Sequence, residues 1–185
     1  MQDILRFKYI NKLKSVYRAN TVGERNESAA EHSWSALLLA DYFLNKTQVD
    51  LDRLRVYELL MYHDIVEIRA GDTPLDPAHV SQDQKEREAL ALKAIAKDLP
   101  EEIRGKFLKR FREFEAAKTP EAKFANAIDK FDAMIHQLEY KRSWKGWSEK
   151  FLREKKEDFF ENFPILHEAF NETLEYMRAK GYFGQ

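Results

Sequence analysis

Thr119-Pro120-Glu121-Ala122-Lys123-Phe124-Ala125-Asn126-Ala127-Ile128-Asp129-Lys130-Phe131-Asp132-Ala133-Met134-Ile135 is the stretch that decides the fold class. Thr119-Pro120-Glu121 is a helix start signal, because the hydroxyl caps free amides and proline fits the first turn. The spacing predicts a helix from Glu121 to about Tyr140. Its apolar side chains recur at helical intervals, and Asp129 and Asp132 interrupt them. A carboxylate among apolar side chains is costly unless it is paired. Both positions therefore bear on function as well as on fold.

The same periodicity extends outward in both directions, and no long alternating run reads as a strand. Ile4, Phe7, Ile10, Leu13 and Val16 line one face of a first helix, followed by a polar loop from about Arg18 to Glu27. Ser28-Ala29-Ala30-Glu31 reads as a capping box opening a second helix with Trp34, Leu37, Leu38 and Tyr42. Asp50 is expected to cap a third, through Leu54, Leu59 and Leu60 to about Ile68. Gly71, Pro74 and Pro77 place a loop at Arg69 to Ala78. Ser81 opens a fourth helix, and Pro100 sits at the first position of a fifth. After the sixth, helices at about 148–162 and 164–180 close the chain, with Gly181 as C-cap. The expectation is one all-α domain over residues 1–185, with about seven to eight helices.

Composition excludes whole chemistries. The 185 residues contain no Cys, so disulfides, thiolate nucleophiles, iron–sulfur clusters and Cys-ligated zinc are ruled out. A reducing compartment is the natural reading. The six glycines match neither GxGxxG nor GxxxxGK, so any phosphate must be held by side chains or a metal. A net charge of −1 argues against a nucleic-acid polymer as partner. Residues 1–25 are locally basic, and Arg18 and Arg25 fall outside the helical pattern. The longest apolar stretch, Ser35 to Leu44, is interrupted by Asp41, and no export signal precedes it, so neither membrane nor secretion is expected.

His63 and Asp64 are adjacent near the end of the third helix, and Glu67 lies four residues after His63 on the same face. An imidazole beside a carboxylate suits a divalent metal. His32 lies just inside the capped start of the second helix. With Asp129 and Asp132, polar groups then stand on three separate helices, and a metal site between bundle helices is the commonest reason for that.

Glu31-His32-Ser33, Met61-Tyr62-His63-Asp64 with Glu67 and Gly71-Asp72, and Ala127-Ile128-Asp129 together resemble the HD-domain metal-dependent phosphohydrolases. More narrowly the chain is similar to their 5′-deoxynucleotidase branch, from about Val16 to Tyr140. Supporting segments are Tyr17-Arg18, Pro100-Glu101-Glu102-Ile103-Arg104 and Glu121-Ala122-Lys123-Phe124. The resemblance implies a helical HD-domain bundle with its motifs in residues 16–140 and helices 148–180 packed on that core. It implies that His32, His63, Asp64 and Asp129 ligate one divalent cation (Co, Mn, Fe, Ni, Zn or Mg). It makes Glu67 and Asp72 the catalytic acids and gives Arg18 the substrate phosphate. His32, Asp64, Asp72, Thr73, Pro74 and Asp129 border the substrate, Thr73 and Pro74 at the sugar.

The sequence departs from the branch at Ala19, where the best-known bacterial members carry Trp; animal-type relatives lack it too. His79 is the one candidate for a second metal, so a mononuclear site is expected. His136 shares a face with Asp129 and reads as core packing or support, and His167 is remote from every motif. The implied protein is a cytoplasmic homodimer acting on deoxyribonucleoside 5′-monophosphates, and the thirteen Phe with Trp144 and Trp147 are candidates for an apolar patch. The alternatives are action on another nucleotide phosphoester, or a silent nucleotide- or metal-binding regulator.

Overall fold

The computed structural model describes residues 2–73 and 84–183. The first expected helix is broken into α1 (Gln2–Leu5), α2 (Phe7–Ile10) and a 3-10 turn (Asn11–Ser15). Its apolar stripe does not face inward as a unit. Leu13 is buried, whereas Ile4 is 63% exposed and Phe7 46%.

The expected polar loop is instead a β-hairpin, β1 (Tyr17–Val22) against β2 (Arg25–Ser28), antiparallel with Val22 opposite Arg25. Gly23 supplies the positive φ (58°) that the tight turn requires. The ribbon is anchored to the body. The Gly23 amide donates to the Tyr140 hydroxyl at 2.8 Å, and His136 Nε2 donates to the Thr21 carbonyl at 2.7 Å.

The capping box forms as expected, with Ser28 and Glu31 exchanging bonds at the start of α3 (Ala29–Leu44). The face turned inward, however, is the small-residue one: Ala29, His32, Ser33, Ala36 and Ala40, joined by Phe43. Small side chains let α3 lie close against its neighbours, and Trp34, Leu38 and Tyr42 are left outside.

Asp52, rather than Asp50, caps α4 (Arg53–Tyr62), accepting from the Arg55 amide at 3.1 Å. This helix does not run unbroken to Ile68. It tightens into a 3-10 turn at His63–Val66, then α5 (Glu67–Ala70) ends at Gly71, whose φ of 74° sends the chain away from the helix axis. Pro100 precedes α7 (Glu101–Ala116) rather than occupying its first position, and α6 (Gln84–Asp98) comes before it. Thr119 caps α8 (Pro120–Gln137), accepting from the Ala122 amide at 3.2 Å. A 3-10 turn (Lys141–Trp144), α9 (Glu149–Phe160) and α10 (Pro164–Ala179) follow.

The expected all-α class holds, with the hairpin as its one exception among the described residues. α8 is the central rod, packed against α3, α4, α7 and α9. Around it lies one cluster including Leu59, Leu60, Phe124, Ile128, Leu166 and Phe170. A second cluster, with Leu13, Tyr62, Ile65, Ile95 and Phe107, joins the N-terminal turns to α6 and α7. Trp144 is 5% exposed and donates its indole N–H to the Gln137 carbonyl, and Trp147 packs against it. Trp144 therefore belongs to the interior, with the partly buried Trp147 packed on the core beside it. No described helix is long and apolar enough to cross a membrane.

Fully buried Phe124→Ala is expected to cost about 3–5 kcal/mol in urea denaturation, and Ile4→Ala less than about 0.5. Lys156 of α9 is buried with its ammonium on the Lys130 carbonyl at 2.7 Å, and burial together with Lys130 pushes its pKa down to about 7. The unfolded chain then holds the extra proton between about pH 7 and the ordinary lysine value of 10.5, so stability rises with pH across that window. Lys156→Met is expected to stabilise the fold at pH 7 and flatten that rise, as read from unfolding midpoints at several pH values.

Candidate metal centre

Three helical elements and the hairpin each contribute side chains to one buried cluster. The capping box sets the start of α3, which puts His32 one turn in on the inward face, at 0% exposure. Asp129 and Asp132, one turn apart on the buried face of α8, stand opposite it. The 3-10 turn after α4 buries both His63 and Asp64, and Phe114 packs on the His63 ring at 5.0 Å between centroids.

The ring orientations follow from their partners. His32 Nδ1 lies 2.8 Å from Asp132 Oδ2, which also accepts from the Ser35 hydroxyl at 2.8 Å. Its Nε2 meets Asp129 Oδ1 at 2.9 Å. His63 Nδ1 is 2.7 Å from the Leu60 carbonyl, and a carbonyl only accepts. The proton of neutral His63 is thereby placed on Nδ1, and the Nε2 lone pair faces the cluster. That nitrogen is 3.0 Å from Asp64 Oδ1 and 3.7 Å from Asp129 Oδ1, yet it is buried without a hydrogen bond. Asp64 Oδ2 is likewise buried and unbonded.

Buried acceptors without donors are expensive, and a cation among them removes the expense. One ligand atom each from His32, His63 and Asp129 lie within 4.8 Å of one another. Imidazole and carboxylate donors without thiolate suit a divalent ion, so the residues fit the metal that the sequence implied. Glu27, His32 and Asp132 form a second buried trio at the same spacing, on the Nδ1 side of His32.

The charges around this core are strongly perturbed. Arg18, from β1, is 3.6 Å from both Asp64 and Asp72 and 3.5 Å from Glu27. Burial opposes its charge, but Asp64, Asp129 and Asp72 outweigh burial and hold the guanidinium above its ordinary value. Burial, with Asp64 and Asp72 nearby, pushes Glu67 up to about 9. Asp72 is raised too, chiefly by burial, with Arg18 resisting. Asp129 goes the other way. Burial would raise it, yet Lys130, 2.6 Å away, together with the two histidines holds it well below the carboxylate range. For His32, burial and Arg18 disfavour charge, but the bonds to Asp129 and Asp132 prevail and raise it to about 10.

The structure thus brings together Arg18, His32, His63, Asp64, Glu67, Asp72 and Asp129. Thr73 follows Asp72 and is half-buried; Pro74 and His79 lie outside the described residues. His136 supports β1 and comes within 3.9 Å of Glu27, whereas His167 pairs with Glu157 away from the centre. Arg25 is bonded to Glu31, at the exposed edge of the capping box. Sequence reasoning missed Glu27, Lys130 and Lys156. Glu27 directly precedes the Ser28 cap, a position that could have placed it beside His32; the two lysines carried no signal.

Comparison with known proteins gives a consistent answer. The HD domain profile matches residues 10–167. The fission yeast (Schizosaccharomyces pombe) 5′-deoxynucleotidase hdd1 is 34% identical over 137 residues, 66% of this chain and 63% of that protein. Human 5′-deoxynucleotidase HDDC2 is 28% identical over 147 residues, 75% of this chain and 69% of that protein. A crystal structure described as a predicted metal-dependent phosphohydrolase from Magnetospirillum magnetotacticum superposes with a TM-score of 0.82 at 27% identity, covering 98% of this chain and 94% of its own. With the matched region running from the N-terminal turns into α10, this chain belongs to the HD domain family.

Proposed function

We propose that this chain is a metal-dependent 5′-deoxynucleotidase, converting deoxyribonucleoside 5′-monophosphates to deoxynucleoside and phosphate. The observation that carries the reading is the unbonded, buried Nε2 of His63, facing His32 and Asp129 while Arg18 stands beside Asp64. The names of the fission yeast and human relatives support the substrate class.

In this reading His32, His63, Asp64 and Asp129 hold one divalent cation. Bound there, it supplies Lewis acidity to a phosphoryl oxygen and to water. Arg18 neutralises phosphate oxygens, held in place by Asp64, Asp72 and Glu27. Glu67 and Asp72 divide the two proton transfers. One takes a proton from the attacking water as its oxygen bonds to phosphorus; the other gives a proton to the leaving 5′ oxygen as the P–O bond breaks. Asp132 and Ser35 keep His32 oriented, and Lys130 steadies Asp129. Thr73, next to Asp72, borders the sugar. The reading extends to a cytoplasmic homodimer in which residues 1–185 act as one domain.

Phosphate release should be screened over deoxy- and ribonucleoside 5′-monophosphates with added Mn, Co, Zn or Mg. Metal-dependent turnover of the deoxy substrates is expected, and no release from any of them would overturn the reading. His63→Ala and Asp64→Ala should each abolish cation binding by titration calorimetry along with turnover, with the helical circular dichroism unchanged. Glu67→Gln should keep cation affinity while kcat drops about 10²-fold or more; full activity would remove Glu67 from the mechanism.

A further inference from the structure

Arg18 and Glu27 come from opposite strands of the hairpin. The register that pairs Tyr17 with Ser28 sets them across from each other one step further in. Both side chains turn inward, at 13% and 2% exposure. Arg18 Nε and Glu27 Oε2 are buried, neither has a hydrogen bond, and they lie 3.5 Å apart. The leftover donor of one therefore stands beside the leftover acceptor of the other. The far end of the guanidinium meets different groups: Nη1 is 3.6 Å from Asp64 Oδ2 and from Asp72 Oδ1.

These three carboxylates are not equivalent. Asp64 is a cation ligand and Asp72 a proton-transfer group in the reading above, so neither is reserved for Arg18. Glu27 has one competing use, a cation shared with His32 and Asp132. There, however, His32 Nδ1 is already bonded to Asp132, and Asp132 also accepts from Ser35. The guanidinium supplies the positive charge beside Glu27, and a second cation would stand against it. Glu27 is also fixed from behind. His136 Nε2 donates to the Thr21 carbonyl at 2.7 Å, while its Nδ1 is 3.9 Å from Glu27 Oε1. The His136 ring packs on Tyr140, whose hydroxyl holds the Gly23 amide. The C-terminal end of α8 thus steadies both strands, and with them the carboxylate.

We infer that Glu27 is a positioning residue for the substrate phosphate: it holds the Nε edge of Arg18, so that the terminal nitrogens stay turned toward the phosphate. The inference rests on the reading of Arg18 as the phosphate ligand. Its sign is distinctive. As a charge alone, a carboxylate beside Arg18 repels phosphate, and removing it would tighten binding. As a positioning group it restricts the guanidinium in advance, and removing it weakens binding.

Calorimetric titration of inorganic phosphate into the Mn-loaded chain tests this without requiring turnover. Glu27→Gln is expected to weaken phosphate binding about 10-fold, with Mn affinity and circular dichroism unchanged. With a deoxyribonucleoside 5′-monophosphate, KM should rise by a similar factor while kcat stays within about 3-fold. Against an Arg18→Lys background, where there is no Nε–H to hold, Glu27→Gln should change phosphate affinity no further. Unchanged or tighter phosphate binding by Glu27→Gln would overturn the inference, as would a wild type that binds no phosphate. Loss of Mn binding would overturn it by making Glu27 a metal ligand. An equal additional loss in the Arg18→Lys background would do so by placing the effect in the fold. Should Glu27→Gln unfold, Glu27→Asp takes its place with the same expectations, because it keeps the charge yet stops one carbon short of Arg18. The expected phosphate binding in a chain that hydrolyses no nucleotide would sink the nucleotidase reading alone.

Discussion

The imidazole of His32 is the joint on which the arrangement turns. Both of its nitrogens are bonded to carboxylates one turn apart on α8, in surroundings without solvent. Such a pair of contacts fixes how α3 is rotated against α8, because loss of either would strand a buried polar group. The rotation in turn decides which residues face inward. With His32 on the inside, Ala36 and Ala40 must follow it, and the bulkier stripe of Trp34, Leu38 and Tyr42 is carried to the opposite side. A polar contact, rather than the sum of hydrophobicity, has set the orientation of an apolar helix.

The pocket built around this joint is acidic. Glu27, Asp64, Glu67, Asp72, Asp129 and Asp132 converge there, with Arg18 and Lys130 as the nearby fixed cations. Arg18 is thereby held from three sides, and little conformational freedom remains to be lost when a phosphate arrives. Lys130 has a narrower task beside Asp129, since a neutralised outer oxygen leaves the inner one to face the histidines.

Much of this was legible in the residues. Thr119-Pro120 and Ser28-Ala29-Ala30-Glu31 announced two helix starts because capping is a local bargain between neighbours, and both caps form. His63, Asp64 and Asp129 stood out as polar groups in apolar surroundings, and the structure brings them together. The hairpin escaped because Tyr17–Val22 is short and polar, and its pairing rests on partners more than a hundred residues away, Tyr140 and His136. Which face of α3 turns inward was not legible for a related reason. Periodicity identifies a stripe of large apolar residues, but whether that stripe or the small-residue one is covered depends on how closely the neighbouring helix approaches. Lys156 could not have been found at all, since its burial depends on α9 crossing α8.

The anchored hairpin has a consequence for how the family can vary. A two-residue turn at a protein surface is ordinarily a tolerant place for extra residues. Here the tip is tied at Gly23 and again at Thr21, and the same ribbon carries Arg18 on one strand and Glu27 on the other. Lengthening the turn would change the registry between those two side chains, and with it the reach of the guanidinium. Homologues can therefore be expected to keep this turn at a constant length while their exposed helix connections drift.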